Sequence, residues 1–392
     1  METEAALAVR MVLAIGLAWA LTFTFRRLVL RLDLRGAGVV GGVCAGIALG
    51  PMVLGKVAPG FYEEVNVGGS QTRELLEETL LNFGADMQAL EESGVSEIAI
   101  EEFDEVMQQM LSLSHAMLEQ EIAWHQAVPL AIASSLGLVA LMLGAMRERG
   151  LSANGIGIGV VTALFAALAW AVLARRLVDV DLKIATVMGG VLAAGSVWGR
   201  GSWRMGFGLA GVMVAVLALT AGDAFGAAWR AFVAVTLGLV VGRVVRIGSR
   251  GERRSAWIAH GLLVPAVAAL MVSSCDLSQT PGSALWFVLI AGVLGADLHF
   301  LAAFLSLGWL GRGWRHRRPM TAWHNAYAQG WGGTQIVLAN LVLAFGLMEN
   351  RPEVAGVLGV AAAAMAVTGE ITRPATHKAL AMMRHEGATT HL

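Results

Sequence analysis

The sequence predicts an all-α polytopic membrane protein of about eleven transmembrane helices, and three observations carry that expectation. Of 392 residues, 56% are hydrophobic and only 15% charged, against the roughly one quarter charged that a soluble domain carries. The apolar residues gather in long runs, and a helix needs about 20 of them to cross the hydrocarbon, where its backbone groups must be satisfied internally. Arginines cluster in alternate segments between these runs. Forty-eight glycines against eight prolines suit helices that approach backbone to backbone in lipid.

The first run, 6–25, follows Glu2 and Glu4 where a cleaved signal has basic residues, so it is read as a retained span. The second, 36–55, is glycine-rich and ends at Gly50-Pro51. The chain then changes character: between Lys56 and Gln126 fifteen Asp/Glu stand against two Lys/Arg, leaving fourteen against twenty-six elsewhere. Inside this acidic insert apolar residues recur at helical spacing, at Leu76, Leu80, Phe83 and Met87 and again at Phe103, Met107, Met110 and Met117. That pattern predicts two amphipathic helices over 71–90 and 98–124, with a turn at Gly94 and Ser96 as N-cap. The second is expected to continue towards the third span near Pro129. Further spans are expected at 127–146, 154–174, 183–199, 204–221, 227–246, 255–274, 284–309, 328–348 and 353–372. The domains are then two spans (1–55), an acidic helical hairpin (56–126), the remaining bundle (127–380) and a tail (381–392).

Basic residues are retained on the cytoplasmic side. The clusters Arg26/Arg27/Arg31/Arg35, Arg147/Arg149, Arg200/Arg204, Arg243 to Arg254 and Arg312 to Arg318 therefore predict an outside N-terminus, an outside hairpin and an inside C-terminus. Arg175 and Arg176 alone fall against this alternation. The expected location is the bacterial inner membrane, multi-pass. Divided among short loops, the basic residues offer no surface for nucleic acid. No P-loop, dinucleotide fingerprint, nucleophile elbow or His-Glu-x-x-His occurs, so neither an enzyme nor a cofactor is expected. Cys44 and Cys275 are read as small packing residues. His115 and Glu119 stand at i, i+4 and are read as a solvated face, because two ligands do not make a metal site.

The run from Gly36 to Phe61 joins an apolar helix to Gly50, Pro51, Leu54 and Gly55, and it resembles the second transmembrane helix of monovalent cation/proton antiporters, which ends in Gly-Pro-x-x-Leu-Gly. Leu136 to Gly144 resembles the third helix of that family. Phe287 to Gly292, followed by Asp297-Leu298, resembles its aromatic-rich helix, and Ile371-Thr372-Arg373-Pro374 its final exit. The resemblance is spread over most of the chain outside 63–126. It implies an inverted-repeat fold with two broken helices crossing at the midplane, exchange of Na⁺ or K⁺ for H⁺ across the bilayer, and a homodimer. The broken helices would be Ile184 to Trp198 and the segment around Gly292, Gly295 and Asp297. The family's paired carboxylates would fall at Ala210 to Met213, where this chain has no ionisable residue.

An intramembrane carboxylate is costly and so marks function. Asp297 is the candidate that remains, either beside a cavity as a proton-exchanging group, or near the cytoplasmic helix end, held by His299 or Arg312. Thr186, Ser196, Thr334 and Gln335 are candidate oxygen donors to a dehydrated cation; the competing structural role is a bond to the preceding turn or across helices. Asn340 and His260 carry the same two readings. The expected function is a divergent monovalent cation/proton antiporter. The alternative is a transport-inactive relative serving as a membrane sensor or complex subunit through its acidic insert.

Overall fold

A computed structural model describes residues 4–31, 37–68, 70–92, 97–145, 153–198, 254, 257–277, 280–309, 332–344 and 352–389. The elements in chain order are α1 (Glu4–Arg31), α2 (Ala37–Leu49), the short α3 (Leu54–Val57) and α4 (Pro59–Tyr62), a π-helical turn (Glu63–Val67), α5 (Ser70–Glu92), α6 (Glu97–Ala145), α7 (Ala153–Leu177) and α8 (Leu182–Trp198). A second π-helical turn (Ala259–Leu263) leads into α9 (Val264–Ser273), followed by α10 (Gly282–Trp309), α11 (Gly332–Ala344) and α12 (Pro352–Thr389). No strand occurs among the described residues. The expected spans at 204–221 and 227–246 lie outside them.

The chain forms two compact units, Met1–Gly16 with Leu54–Pro129, and Leu17–Val53 with Leu130–Leu392. The first contains the expected amphipathic helices. In α5 Leu76 is buried while Phe83 and Met87 are half-buried, and in α6 Phe103 and Met107 are half-buried. The Phe83 and Phe103 rings stack with centroids 5.8 Å apart, which joins the two helices. Before α5 the chain turns at Gly68, whose φ of 74° only glycine adopts without steric cost. The expected turn at Gly94 to Ser96 falls outside the described residues. Helix α6 runs on through Pro129 to Ala145.

In the second unit, α2 packs on α9, α7 on α8, α10 on both α7 and α12, and α11 on α8 and α12. Among the described residues, three helical segments are long and apolar enough to cross a membrane: Ala37–Val57, Gly282–Ala302 and Glu353–Thr372. The seam of α2 against α9 is built on glycine. A Cβ at Gly42 would run into the carbonyl of Pro265, and one at Gly46 would stand 2.7 Å from the Ala269 oxygen. Four residues apart, both lie on one helix face, the small-x-x-x-small arrangement that lets membrane helices touch along their backbones. Gly50-Pro51 ends α2 where the sequence predicts. Between α2, α10 and α12 lies an apolar groove of about 490 Å³, walled by Ile47, Val288, Val293 and Val367 among others.

One expectation needs correction. The anticipated broken helices, α8 and α10, are each continuous. Glycines 189 and 190 do not unwind α8; Gly189 is buried against α7 instead. The apolar stretch of α12 ends at Thr372, within the exit anticipated at Ile371 to Pro374, while the helix itself continues to Thr389. Both cysteines are free thiols. Cys275 is buried just beyond α9, its Sγ–H donates to the Met271 oxygen at 3.2 Å, and burial pushes its thiol up to about 12.

Candidate functional site

A polar side chain buried among apolar helices costs free energy unless it finds a hydrogen-bond partner. Among the described residues of the second unit, three places meet this need on another helix. Trp170 of α7 and His299 of α10 are both buried, and the indole Nε1–H donates to His299 Nε2 at 3.1 Å. Accepting at Nε2 requires a neutral ring with its proton on Nδ1. Trp170 also meets Phe287 of α10 edge to face, with centroids 5.7 Å apart. One indole thus supplies both an apolar contact and a directional bond between α7 and α10.

The second place is Gln335 at the start of α11, fully buried. Its Nε2 donates to the Leu192 carbonyl of α8 at 3.5 Å, a long and therefore weak bond. Its Oε1 is buried without a hydrogen bond. The third is Asn340, one turn further along α11, whose Nδ2 donates to Ser134 Oγ at 2.8 Å and to the Leu130 oxygen at 3.2 Å. Ser134 in turn donates to the Leu130 oxygen at 2.7 Å. Asn340 therefore binds α11 to the C-terminal stretch of α6. Truncation to Asn340→Ala is expected to lower stability by about 1 kcal/mol, since interhelical hydrogen bonds in membranes contribute modestly. Ser134→Ala should cost less, because Asn340 keeps its bond to Leu130. Thermal unfolding in detergent of the two variants beside the parent checks this order.

The residues singled out from the sequence are only partly brought together. Asp297 is exposed on α10, two residues before the inward-pointing His299. It lies in a stripe with Leu289, Val293 and Leu301, all exposed. Thr186 is exposed and its Oγ1 donates to the Leu182 oxygen at 2.7 Å, a bond to its own preceding turn. Gln335 reaches another of the candidate helices, at Leu192. Ser196 lies on α8 and Thr334 on α11, but their side chains, like that of His260, are outside the described set, as is Arg312. His115 and Glu119 are exposed on α6.

Where α7, α8 and α10 converge, the contact is made by Ala166, Ala193 and Ala302, with Ala167 and Leu298 packed against them. These small side chains pack directly against one another between the helices. Sequence reasoning passed over Trp170, although a tryptophan inside an apolar run is a signal that its N–H needs a partner nearby. His299 was considered only as a neighbour of Asp297. Comparison of the chain with protein-family models, curated proteins and solved structures finds no match.

Proposed function

We propose that this chain is a multi-pass protein of the bacterial inner membrane whose membrane part is an ion-tight helical anchor, and that it serves as a membrane sensor or complex subunit through its acidic hairpin. In this reading the architecture is antiporter-like, with about eleven spans, the N-terminus and hairpin outside and the C-terminus inside, as the alternating arginine clusters favour. The observation that carries it is the alanine contact of α7, α8 and α10. An exchanger of the resembled family is expected to carry a water-reachable carboxylate between its core helices. Here Ala166, Ala193 and Ala302 are buried against one another, and Asp297 faces outward.

Exchange of Na⁺ or K⁺ for H⁺ is the second reading, and Gln335 favours it. Its unbonded Oε1 and the Leu192 carbonyl are neutral oxygens of the kind a dehydrated cation takes. The deciding measurement is dissipation of a pH gradient by Na⁺ or K⁺ in proteoliposomes carrying the full chain. No cation-dependent proton movement is expected in either gradient direction. Movement that Asp297→Asn or Gln335→Leu abolishes would overturn the ion-tight reading and establish exchange.

A further inference from the structure

Helix α6 carries two apolar faces, and the hairpin uses one. Phe103, Met107, Leu111 and Leu118 are half-buried, Phe103 stacking on Phe83 of α5. Val106, Met110, Leu113 and Met117 form the other face and are 56%, 53%, 64% and 61% exposed. Their spacing of four, three and four residues is that of a heptad seam, the geometry by which one helix receives another. Single exposed apolar residues are ordinary, but four large ones in continuous register mark an interaction surface.

The charges beside the seam say what kind of helix it fits. From Val106 to Leu118 there is no Asp, Glu, Lys or Arg. Immediately before this stretch stand Glu101, Glu102, Asp104 and Glu105, and immediately after it Glu119 and Glu121. A second copy would bring the same acidic rims together, and an anionic lipid surface would repel them. A helix with a central apolar stripe and lysine or arginine at its two ends is complementary to both the seam and the acidic clusters that bound it. Two of the four seam residues are methionine, whose flexible thioether adapts to differing partner side chains. We propose that the Val106–Met117 seam of α6 is the docking surface for a basic amphipathic helix of a partner protein. The purpose of that docking rests on the sensor or subunit reading above; the surface itself rests on the exposure, register and charge of α6.

The test uses the full chain in nanodiscs of neutral lipid and a fluorescent synthetic helix with leucine at heptad positions a and d and lysine clustered at both of its ends. The expected result is binding that weakens as salt rises. The double change Met110→Gln with Leu113→Gln should weaken it by about tenfold or more, as truncating central anchors does, while Leu75→Gln on α5 leaves it unchanged. Circular dichroism verifies that the double variant keeps its helices. The charge reversals Glu105→Lys and Glu119→Lys offer a second route, expected to weaken binding most at low salt. Absence of binding, or binding indifferent to the seam substitutions, would overturn the proposal. So would concentration-dependent dimerisation of the chain, or capture by anionic vesicles, if either is lost in the double variant, since the seam would then belong to a second copy or to the membrane. Proteoliposome ion flux does not depend on this seam. A failed peptide measurement therefore leaves the ion-tight reading standing, and measured flux leaves the docking surface standing.

Discussion

Gly189→Ala is expected to lower the stability of the membrane unit by about 3 kcal/mol, near the upper end of typical overpacking costs, while Gly190→Ala, one residue along, leaves it unchanged or raises it. The two glycines are neighbours in sequence on α8 but lie about 100° apart around the helix. A Cβ at Gly189 would run into the Ala167 carbonyl and stand 2.9 Å from the Ala171 amide nitrogen, so the obstacle is the backbone of α7, which cannot rotate aside. Around Gly190 nothing lies within 4 Å of the added carbon. There the only effect is the loss of glycine's backbone freedom, a gain of up to about 1 kcal/mol for alanine in a helix. Tryptophan fluorescence melts of both variants in one detergent at one scan rate check the contrast. Equal melting temperatures would show that α7 and α8 do not meet at Gly189.

The second large effect is expected at Trp170. Trp170→Ala removes the largest fully buried side chain described and should cost about 3–5 kcal/mol, the range for truncating a buried tryptophan. Trp170→Phe keeps most of the apolar contact with Phe287 but withdraws the donor from His299 Nε2. It should cost about 1–2 kcal/mol, the penalty for stranding a buried acceptor. Adding His299→Leu to Trp170→Phe removes the acceptor too, and the pair is expected to recover most of that loss. A double-mutant cycle on thermal or denaturant unfolding isolates the term. If the double variant is less stable than Trp170→Phe alone, the indole–imidazole bond is not what joins α7 to α10.

Much of this organisation is legible in the sequence because it rests on periodicity and length. The amphipathic helices of the insert show in the spacing of Phe83, Met87, Phe103 and Met107, and the end of α2 shows in Gly50-Pro51. The facing of Asp297 does not. Helix α10 is apolar nearly all round, so no contrast between faces tells which side a lone carboxylate occupies. The exposed side becomes known only when Phe287 and Ala291 are seen to be buried and Val293 and Leu301 exposed. The continuity of α8 was hidden for a related reason. Glycine suits both an unwound stretch and a close helix contact, and only the Ala167 carbonyl beside Gly189 distinguishes them. Gln335 stands out in the sequence as a candidate oxygen donor to a cation, but its partner, a carbonyl 143 residues away, leaves no trace in local pattern.

The hydroxyls and the other polar groups of this bundle differ in when they can be satisfied during biogenesis. Ser134, Thr186, Ser273 and Thr372 all donate to carbonyls three or four residues earlier in their own helices. Each of these bonds closes within one helix, before any other helix packs on it. Trp170, Gln335 and Asn340 donate to a group on another helix, so their N–H groups meet these partners only when that helix docks. Helix formation is thereby separated from helix association. The four hydroxyls are neutral to the second stage, and the indole and two amides supply directional preference in it, favouring which helices pair and in what register.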